Sequence, residues 1–270
     1  IADCDPMYAA WHDMDLPLVW KKHLCTDAFG RDTLKSARML QNYWGGGRLH
    51  PSCDSATLLV RLARAYDLVH AAEDTNGNRL WTRDARTQVE RDLFMEWLMG
   101  GEPFLGGGLK ASNVNNKAGR VYWPMAAVAR CLGIPEWADT ALRGFEAQQA
   151  KSVTYDGFSH ESPGYTFSSA SYFGGLIGIA EALHGFRWPR SFKTRTGVVN
   201  LYESEERFRL LLRTAVDHQY PDGTLLPASD TSAGGGLAQP LVEVGLNRCP
   251  EYYAGTLGAI GGKGAPSEYA

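Results

Sequence analysis

A histidine, a carboxylate and a tyrosine lie within one short loop, in the stretch HESPGYTF at residues 160–167. The pair Pro163-Gly164 predicts a turn just before the next helical run. Taken singly, these side chains are common on protein surfaces, but His160, Glu161 and Tyr165 together supply the groups that acid–base catalysis uses. The loop therefore predicts a site of proton transfer.

A second polar cluster precedes an apolar helical run in the stretch ASNVNNKAGR, residues 111–120. Asparagine is favoured at helix caps and turns, which accounts for one or two of the three asparagines. It does not account for cations near a helix start, where the helix dipole favours anions. Amide donors and cations in one place suit a bound carboxylate. The residues expected to form this site are Asn113, Asn116, Lys117 and Arg120.

Aromatic residues stand in or beside the glycine-rich connections. Trp44 and Arg48 flank the glycines of WGGGR, and Trp123 follows the asparagine cluster. Flat apolar faces beside polar groups suit a sugar ring, whereas aromatic residues at helix ends more often belong to the core. Both interpretations stay open, and we expect Trp44, Arg48 and Trp123 as candidate substrate contacts.

The spacing of apolar residues is helical along most of the chain, and no alternating run is long enough for a convincing strand. The fold class is therefore predicted to be all-α. The expected helices are 31–43, 55–72, 82–100, 121–132, 136–150, 169–184, 203–218 and 237–246.

The connections suggest how these helices are arranged. Helices of similar length joined by alternately plain and elaborate loops predict antiparallel helical hairpins in an incomplete (α/α) toroid, although no sequence repeat separates this from an ordinary bundle. The elaborate loops then gather at one rim and form a cleft. The loops expected at this rim are 44–48, 106–120, 155–165 and 229–236. We expect residues 1–270 to form a single domain.

Charge and composition exclude several classes of partner. The 270-residue chain has a net charge of −3, with Lys and Arg scattered, so we expect neither nucleic acid nor a membrane as partner. No apolar stretch reaches the roughly 20 residues of a spanning helix. The five cysteines contain no CxxC pair, and we predict no metal and no cofactor. They fit one or two disulfides in an exported protein, or buried unpaired thiols.

Three segments resemble a known family in the same order. DGFSHESPGYTF (156–167) resembles the Asp-Gly…Glu-Ser-Pro-x-Tyr segment of the heparinase II/III-like and oligoalginate lyase group of polysaccharide lyases. The upstream SNVNNK is similar to that group's Asn-Asn or Asn-His segment, with Asn116 and Tyr165 separated by 165 − 116 = 49 residues. YPDGTLLPASDTSAGGG (220–236) is similar to the group's Asp-Gly…Pro…Gly-Asp segment. The resemblance covers roughly residues 50–235.

The resemblance implies a polysaccharide lyase that cleaves a uronic-acid-containing polymer by β-elimination. A base removes the C5 proton, the 4-linked sugar leaves, and amides or a cation neutralise the neighbouring carboxylate. On this hypothesis Asn116, with Asn113, binds the carboxylate, and Tyr165 transfers protons. His160 or Arg120 lowers the pKa of the phenol or holds the sugar. The expected substrate is an acidic polysaccharide or oligosaccharide, and the expected location is secreted or periplasmic.

The chain departs from the family pattern at two points. Lys117 stands where many relatives have histidine, so it is expected to act either as a base or as a carboxylate clamp. The family usually adds a β-sandwich after the helical domain, and this chain ends before one. It is therefore interpreted as a fragment, a single-domain relative or a form that cleaves differently.

Two other functions remain as alternatives. A glycoside hydrolase on an α/α toroid would pair Asp156 or Glu161 with Asp230 across a cleft. A non-catalytic carbohydrate-binding protein would need neither a pair of carboxylates nor a proton-transfer residue. The lyase hypothesis is preferred because it also gives the asparagine cluster and Tyr165 a role.

Overall fold

The computed structural model describes residues 56–95, 97, 118–160, 162–168, 173–228, 231 and 235–254. They belong to two compact units, one within residues 1–110 and one within 111–270. Over these ranges the secondary structure is helical and β-pairing is limited to isolated bridges, in agreement with the predicted all-α class. The toroidal arrangement and the single domain stay predictions.

The first unit contains α1 (Ala56–Val69) and α2 (Arg83–Val89), which continues as a π-helical segment (Glu90–Met95). The helices of the second unit are α3 (Ala118–Leu132), α4 (Pro135–Ser152), a π-helical turn (Gly164–Ser168), α5 (Phe173–Leu183), α6 (Leu201–Ser204), α7 (Glu206–Asp217), α8 (Gln239–Arg248) and α9 (Pro250–Tyr253). Within the described ranges, no helix combines the length and the apolar character that crossing a membrane requires.

The predicted helices within these ranges are present, with ends shifted by a few residues. The helix expected at 203–218 is interrupted at Glu205, which separates α6 from α7. The helix expected at 121–132 starts earlier, at Ala118, and accommodates Pro124 in its interior. The helix expected at 31–43 lies outside the described residues.

The first unit is organised around Tyr66, whose side chain is buried on α1. Its ring lies edge-on to Trp81 and Phe94, with centroids 5.8 and 5.5 Å away. Its hydroxyl donates a hydrogen bond to Glu90 at 2.5 Å. The face of α1 that contacts the core passes through Leu59, Val60, Ala63 and Tyr66, whereas Leu58 is 48% exposed.

Glycines allow the helices of the second unit to pack closely. A Cβ atom on Gly175 of α5 would lie 2.4 Å from the backbone of Gly119 on α3. Gly178 and Gly144 face the rings of Trp123 and Tyr122 at the same short distance. Larger side chains at these glycines would force the helices apart. The α3–α4–α5 layer is therefore specified by small residues facing aromatic ones.

The same hairpin follows three of the helices, with residues 73–79 after α1, 153–159 after α4 and 219–225 after α7. In each hairpin the first and last residues form an isolated antiparallel bridge. The N–H of the second residue donates to the carbonyl of the sixth residue, at 2.8, 2.7 and 2.8 Å in the three hairpins in chain order. The fifth residue is a glycine with positive φ, a conformation that other residues adopt only with strain; these are Gly77, Gly157 and Gly223.

This structural repeat extends three residues beyond each hairpin. Thr82 and Ser162 follow the first two hairpins at the same spacing, and each hydroxyl accepts a hydrogen bond from the N–H three residues later, that of Ala85 or Tyr165. After the third hairpin, the carbonyl of Ala228 accepts from the N–H of Thr231. The three hairpins share little sequence beyond the glycine and the Asn or Asp before it, so the repeat is not evident from the sequence.

Candidate functional site

The hairpin at 153–159 is fixed against α7. Its Gly157 approaches the helix so closely that a Cβ atom would lie 2.6 Å from the carbonyl of Leu210. The hydroxyl of Thr214 donates a hydrogen bond to the carbonyl of Asp156 at 3.0 Å. The loop that continues toward Tyr165 therefore starts from a rigid base.

The side chain of Asp156 stabilises this hairpin internally. Its carboxylate accepts hydrogen bonds from the Thr154 hydroxyl and from the Phe158 N–H. These bonds hold the pKa of Asp156 below its ordinary value, with the Thr154 hydroxyl as the largest cause. A carboxylate that stays ionised in this way is poorly suited to be the general acid of a hydrolase.

Tyr165 lies in the π-helical turn that follows. Ser162 starts the turn, because its hydroxyl accepts from the Tyr165 N–H at 3.3 Å and its carbonyl accepts from the Thr166 N–H at 2.8 Å. Thr166 and Phe167 are buried, whereas Tyr165 is 38% exposed. Short π-helical segments occur frequently at functional sites. The turn therefore presents a tyrosine to solvent from an anchored backbone.

Thr231 and Ala238 contact this turn. The Gly164 N–H donates to the Thr231 hydroxyl at 2.8 Å, and the Phe167 carbonyl accepts from the Ala238 N–H at 2.8 Å. A Cβ atom on Gly164 would lie 3.1 Å from the Cα of Thr231. Gly164 and Thr231 are 67 positions apart in the sequence. They belong to two of the three segments that resemble the lyase group, so these two segments are in direct contact.

His218 is a residue near this site that the sequence analysis missed. Its ring packs on Phe158, with centroids 4.9 Å apart, and approaches Phe167 at 6.4 Å. Its Nδ1 donates to the Thr214 carbonyl at 2.9 Å, because a carbonyl oxygen can only accept. Its place directly before the third hairpin is the signal that would have identified it.

The other predicted site residues are placed differently. His160 is exposed at the end of the hairpin, where its N–H donates to the Ser152 carbonyl at 2.9 Å. Trp123 is only 4% exposed and its ring lies against Gly178, so of the two positions that the sequence left open it takes the one in the core. Arg120 belongs to α3. The predicted residues outside the described part of the chain are Trp44, Arg48, Asn113, Asn116, Lys117 and Glu161.

A cavity of about 550 Å³ lies in the second unit, but Tyr165 does not line it. Its walls come from α4 and from residues 188–205. We assign the candidate site to the Tyr165 turn, because the partly exposed tyrosine and the contact with Thr231 are found there. Over the described ranges, no three histidine, cysteine or acidic side chains gather as metal ligands do.

No protein-family model matches this chain, and neither a curated protein nor a solved structure shows significant similarity to it. The likeness to polysaccharide lyases therefore depends on the three sequence segments.

Proposed function

We propose that this protein is a polysaccharide lyase that cleaves a uronic-acid-containing polymer by β-elimination, with Tyr165 as the proton-transfer residue. The observation that supports this most is the contact between Gly164 and Thr231. It joins two lyase-like segments beside a partly exposed tyrosine. A tyrosine is not needed to build the turn, because the equivalent position after the first hairpin is Ala85.

The reaction assigns a distinct task to each candidate group. The Tyr165 phenolate removes the C5 proton, the electron pair forms the C4–C5 double bond, and the C4–O bond breaks. The protonated phenol then returns a proton to the leaving oxygen when both groups lie on one side of the ring. Asn116 and Asn113 bind the uronate carboxylate and stabilise the charge that develops as the proton leaves.

The remaining candidates take supporting roles in this proposal. Lys117 clamps the carboxylate or acts as a second base, and His160 and Arg120 hold the sugar. Trp44, Arg48 and Glu161 are proposed substrate contacts. Trp123 is omitted because it is buried. A secreted or periplasmic location follows from the substrate.

For the architecture we propose an incomplete (α/α) toroid. The repeated hairpins support it, because α1, α4 and α7 all end in the same backbone geometry. Successive helical hairpins of a toroid would place such equivalent connections at one rim. The rim would then carry Tyr165.

One assay separates the lyase from its alternatives. Alginate, glucuronan, heparan and chondroitin are each incubated with the protein while ultraviolet absorbance and reducing ends are followed. A lyase forms an unsaturated uronate that absorbs, whereas a hydrolase forms reducing ends without this absorbance. A carbohydrate-binding protein forms neither product. Reducing ends without absorbance, or no product from any uronate polymer, would contradict the proposal.

A further inference from the structure

The connection between α5 and α6 concentrates positive charge in an otherwise acidic chain. Residues 185–198, GFRWPRSFKTRTGV, contain four cations and no carboxylate. The whole chain has a net charge of −3, so the remaining residues carry −3 − 4 = −7. Connections longer than about 12 to 15 residues are uncommon between helices and are often functional. This one, at residues 184–200, is therefore a candidate surface for a negatively charged partner.

The connection forms a hairpin with a defined backbone. The Gly185 N–H donates to the Val199 carbonyl, and the Val199 N–H donates to the Phe186 carbonyl, both at 2.9 Å. At the tip, the Phe192 N–H donates to the Pro189 carbonyl at 2.9 Å and closes a turn. A surface that is already ordered loses little conformational entropy when it binds.

Arg195 attaches this hairpin to α4. Its guanidinium donates to both carboxylate oxygens of Glu146, at 2.7 and 3.0 Å, and forms an ion pair with Asp139. The same guanidinium lies 6.0 Å from the ring centroid of Trp188. The charge of Arg195 is thus neutralised within the protein, and the other three cations of the hairpin are the ones that can meet a ligand.

These three cations, Arg187, Arg190 and Lys193, form the basic hairpin surface. All three are exposed, and within the described part of the chain none of them forms an ion pair with a carboxylate. The Lys193 Nζ donates to the Arg190 carbonyl at 3.4 Å, so its ammonium lies beside the turn. Consecutive cations are three residues apart, which is at most about 10 Å along the backbone. Closely spaced charges without an internal counter-charge attract an anionic chain.

The aromatic residues of the hairpin favour a polysaccharide over a single-stranded nucleic acid. Single-strand binding relies on exposed aromatic faces on which bases stack. Trp188 is only 7% exposed, and its ring stacks on Phe192 with centroids 5.1 Å apart and 14° between the planes. Phe186 packs against Trp188 as well, at 5.0 Å. Rings that pack on one another offer little face to a base, whereas the carboxylates of a sugar chain need only the cations.

The cleft beside the hairpin limits where such a chain can lie. Lys193 lines this cleft together with Glu146, Glu203 and Glu205. Arg195 neutralises Glu146, but the other two carboxylates would repel an anion inside the cleft. The favourable position for a polyanion is therefore along the turn around Arg190.

We propose that the basic hairpin surface binds the chain of an acidic polysaccharide, with carboxylates of its uronate residues paired to Arg187, Arg190 and Lys193. The choice of a uronate polymer rests on the proposed function, whereas binding at this surface requires no cleavage and no part of the Tyr165 turn. The surface retains a polymer on the protein independently of the reaction.

Hexamannuronate and mannohexaose, both β-1,4-linked, are matched probes, since the first has a carboxylate where the second has a hydroxymethyl group. Each is titrated at pH 7 and low salt into the full chain carrying Tyr165→Phe, which prevents cleavage, and backbone amide shifts are followed by NMR. Hexamannuronate is expected to saturate shifts in residues 187–193 and to bind about tenfold more tightly there than mannohexaose, as expected for a few exposed ion pairs. Its affinity should fall as salt is added, because exposed charges are screened over about 10 Å at 0.1 M.

A double variant tests the cations directly. Arg190→Gln with Lys193→Gln should weaken hexamannuronate binding about tenfold. Arg209→Gln with Arg213→Gln is the matched control, because these exposed residues of α7 make the same change in net charge away from the hairpin, and it should leave the affinity nearly unchanged. Thermal unfolding confirms that both double variants are folded.

Several results would overturn the inference. They are equal affinity for the two hexasaccharides, no saturable shift in residues 187–193, unchanged binding by Arg190→Gln with Lys193→Gln, and an equal loss in the α7 control. Binding of an oligothymidylate with six phosphates as tightly as hexamannuronate would indicate a nucleic-acid surface and would overturn it too. A protein that binds hexamannuronate at this hairpin but forms no unsaturated product from any uronate polymer would contradict the proposed lyase activity and support the inference.

Discussion

The hairpins at 73–79 and 153–159 have the same backbone and different surroundings. Both contain a positive-φ glycine, and both lead to a hydroxyl residue that caps the next helical turn. Among the residues that the structure describes, a Cβ atom on Gly77 would meet nothing within 4 Å, whereas one on Gly157 would meet the backbone of Leu210 at 2.6 Å. The first hairpin leads to Ala85 and the second to Tyr165.

The comparison shows that local sequence specifies the turn of each hairpin, whereas tertiary packing determines how firmly the hairpin is held. The glycine and the Asn or Asp before it are enough to form the turn in both places. Of these two, the 153–159 hairpin is the one with a contact to a neighbouring helix within the described residues, and a partly exposed tyrosine stands at its capped turn. A rigid support beneath an exposed functional group is what catalysis requires of a loop.

The largest expected effect distinguishes the two glycines. Gly77→Ala should destabilise its unit by roughly 1 to 2 kcal/mol, the cost of positive φ for a residue with a Cβ atom. Gly157→Ala should cost about 1 to 3 kcal/mol more, because the methyl group also clashes with a packed backbone. Urea unfolding of the two variants measures both values. Equal losses would show that the second hairpin is not fixed as described.

A smaller effect is expected at the contact between the Tyr165 turn and Thr231. Thr231→Val keeps the shape but removes the acceptor for the Gly164 N–H, and should cost about 1 to 3 kcal/mol in the free energy of unfolding. Thr231→Ser retains the hydroxyl and should recover most of the loss. If valine and serine behave alike, the hydrogen bond does not hold the turn.

The smallest effect concerns the carboxylates of the two hairpins. Hydrogen bonds lower the pKa of Asp74, chiefly from the Asn78 N–H, and the pKa of Asp156, chiefly from the Thr154 hydroxyl. Because both pKa values are depressed, the stability that these groups contribute is present above the ordinary value of 3.8 and is lost as pH falls through the lowered values.

NMR titration of the side-chain carboxyl carbons measures both pKa values directly. His218→Asn should raise the pKa of Asp156 slightly and leave that of Asp74 unchanged, since His218 acts electrostatically on Asp156. An ordinary pKa for Asp156 in the unmodified protein would contradict the hydrogen bonds assigned to its hairpin.

The sequence predicted the helical class and most helix positions because apolar spacing records which face of a helix is buried. It left open details that depend on partners elsewhere in the chain. For Trp123 both a substrate contact and a core position were open, and Gly178 leaves room for its ring in the core. Tyr165 was found from its neighbours in sequence, whereas the contact with Thr231 and the packing of His218 arise from distant segments that no local pattern links.

The most direct test of the central proposal compares two tyrosines of the same loop. Tyr165→Phe removes the phenol and keeps the ring, and Tyr155→Phe makes the same change at a side chain that is 86% exposed. Initial rates of ultraviolet-absorbing product are measured on the best uronate polymer, with unfolding curves for both variants. The account predicts a fall in kcat of about 10² to 10⁴ for Tyr165→Phe and no change for Tyr155→Phe. A folded Tyr165→Phe variant that forms this product at the wild-type rate would contradict it.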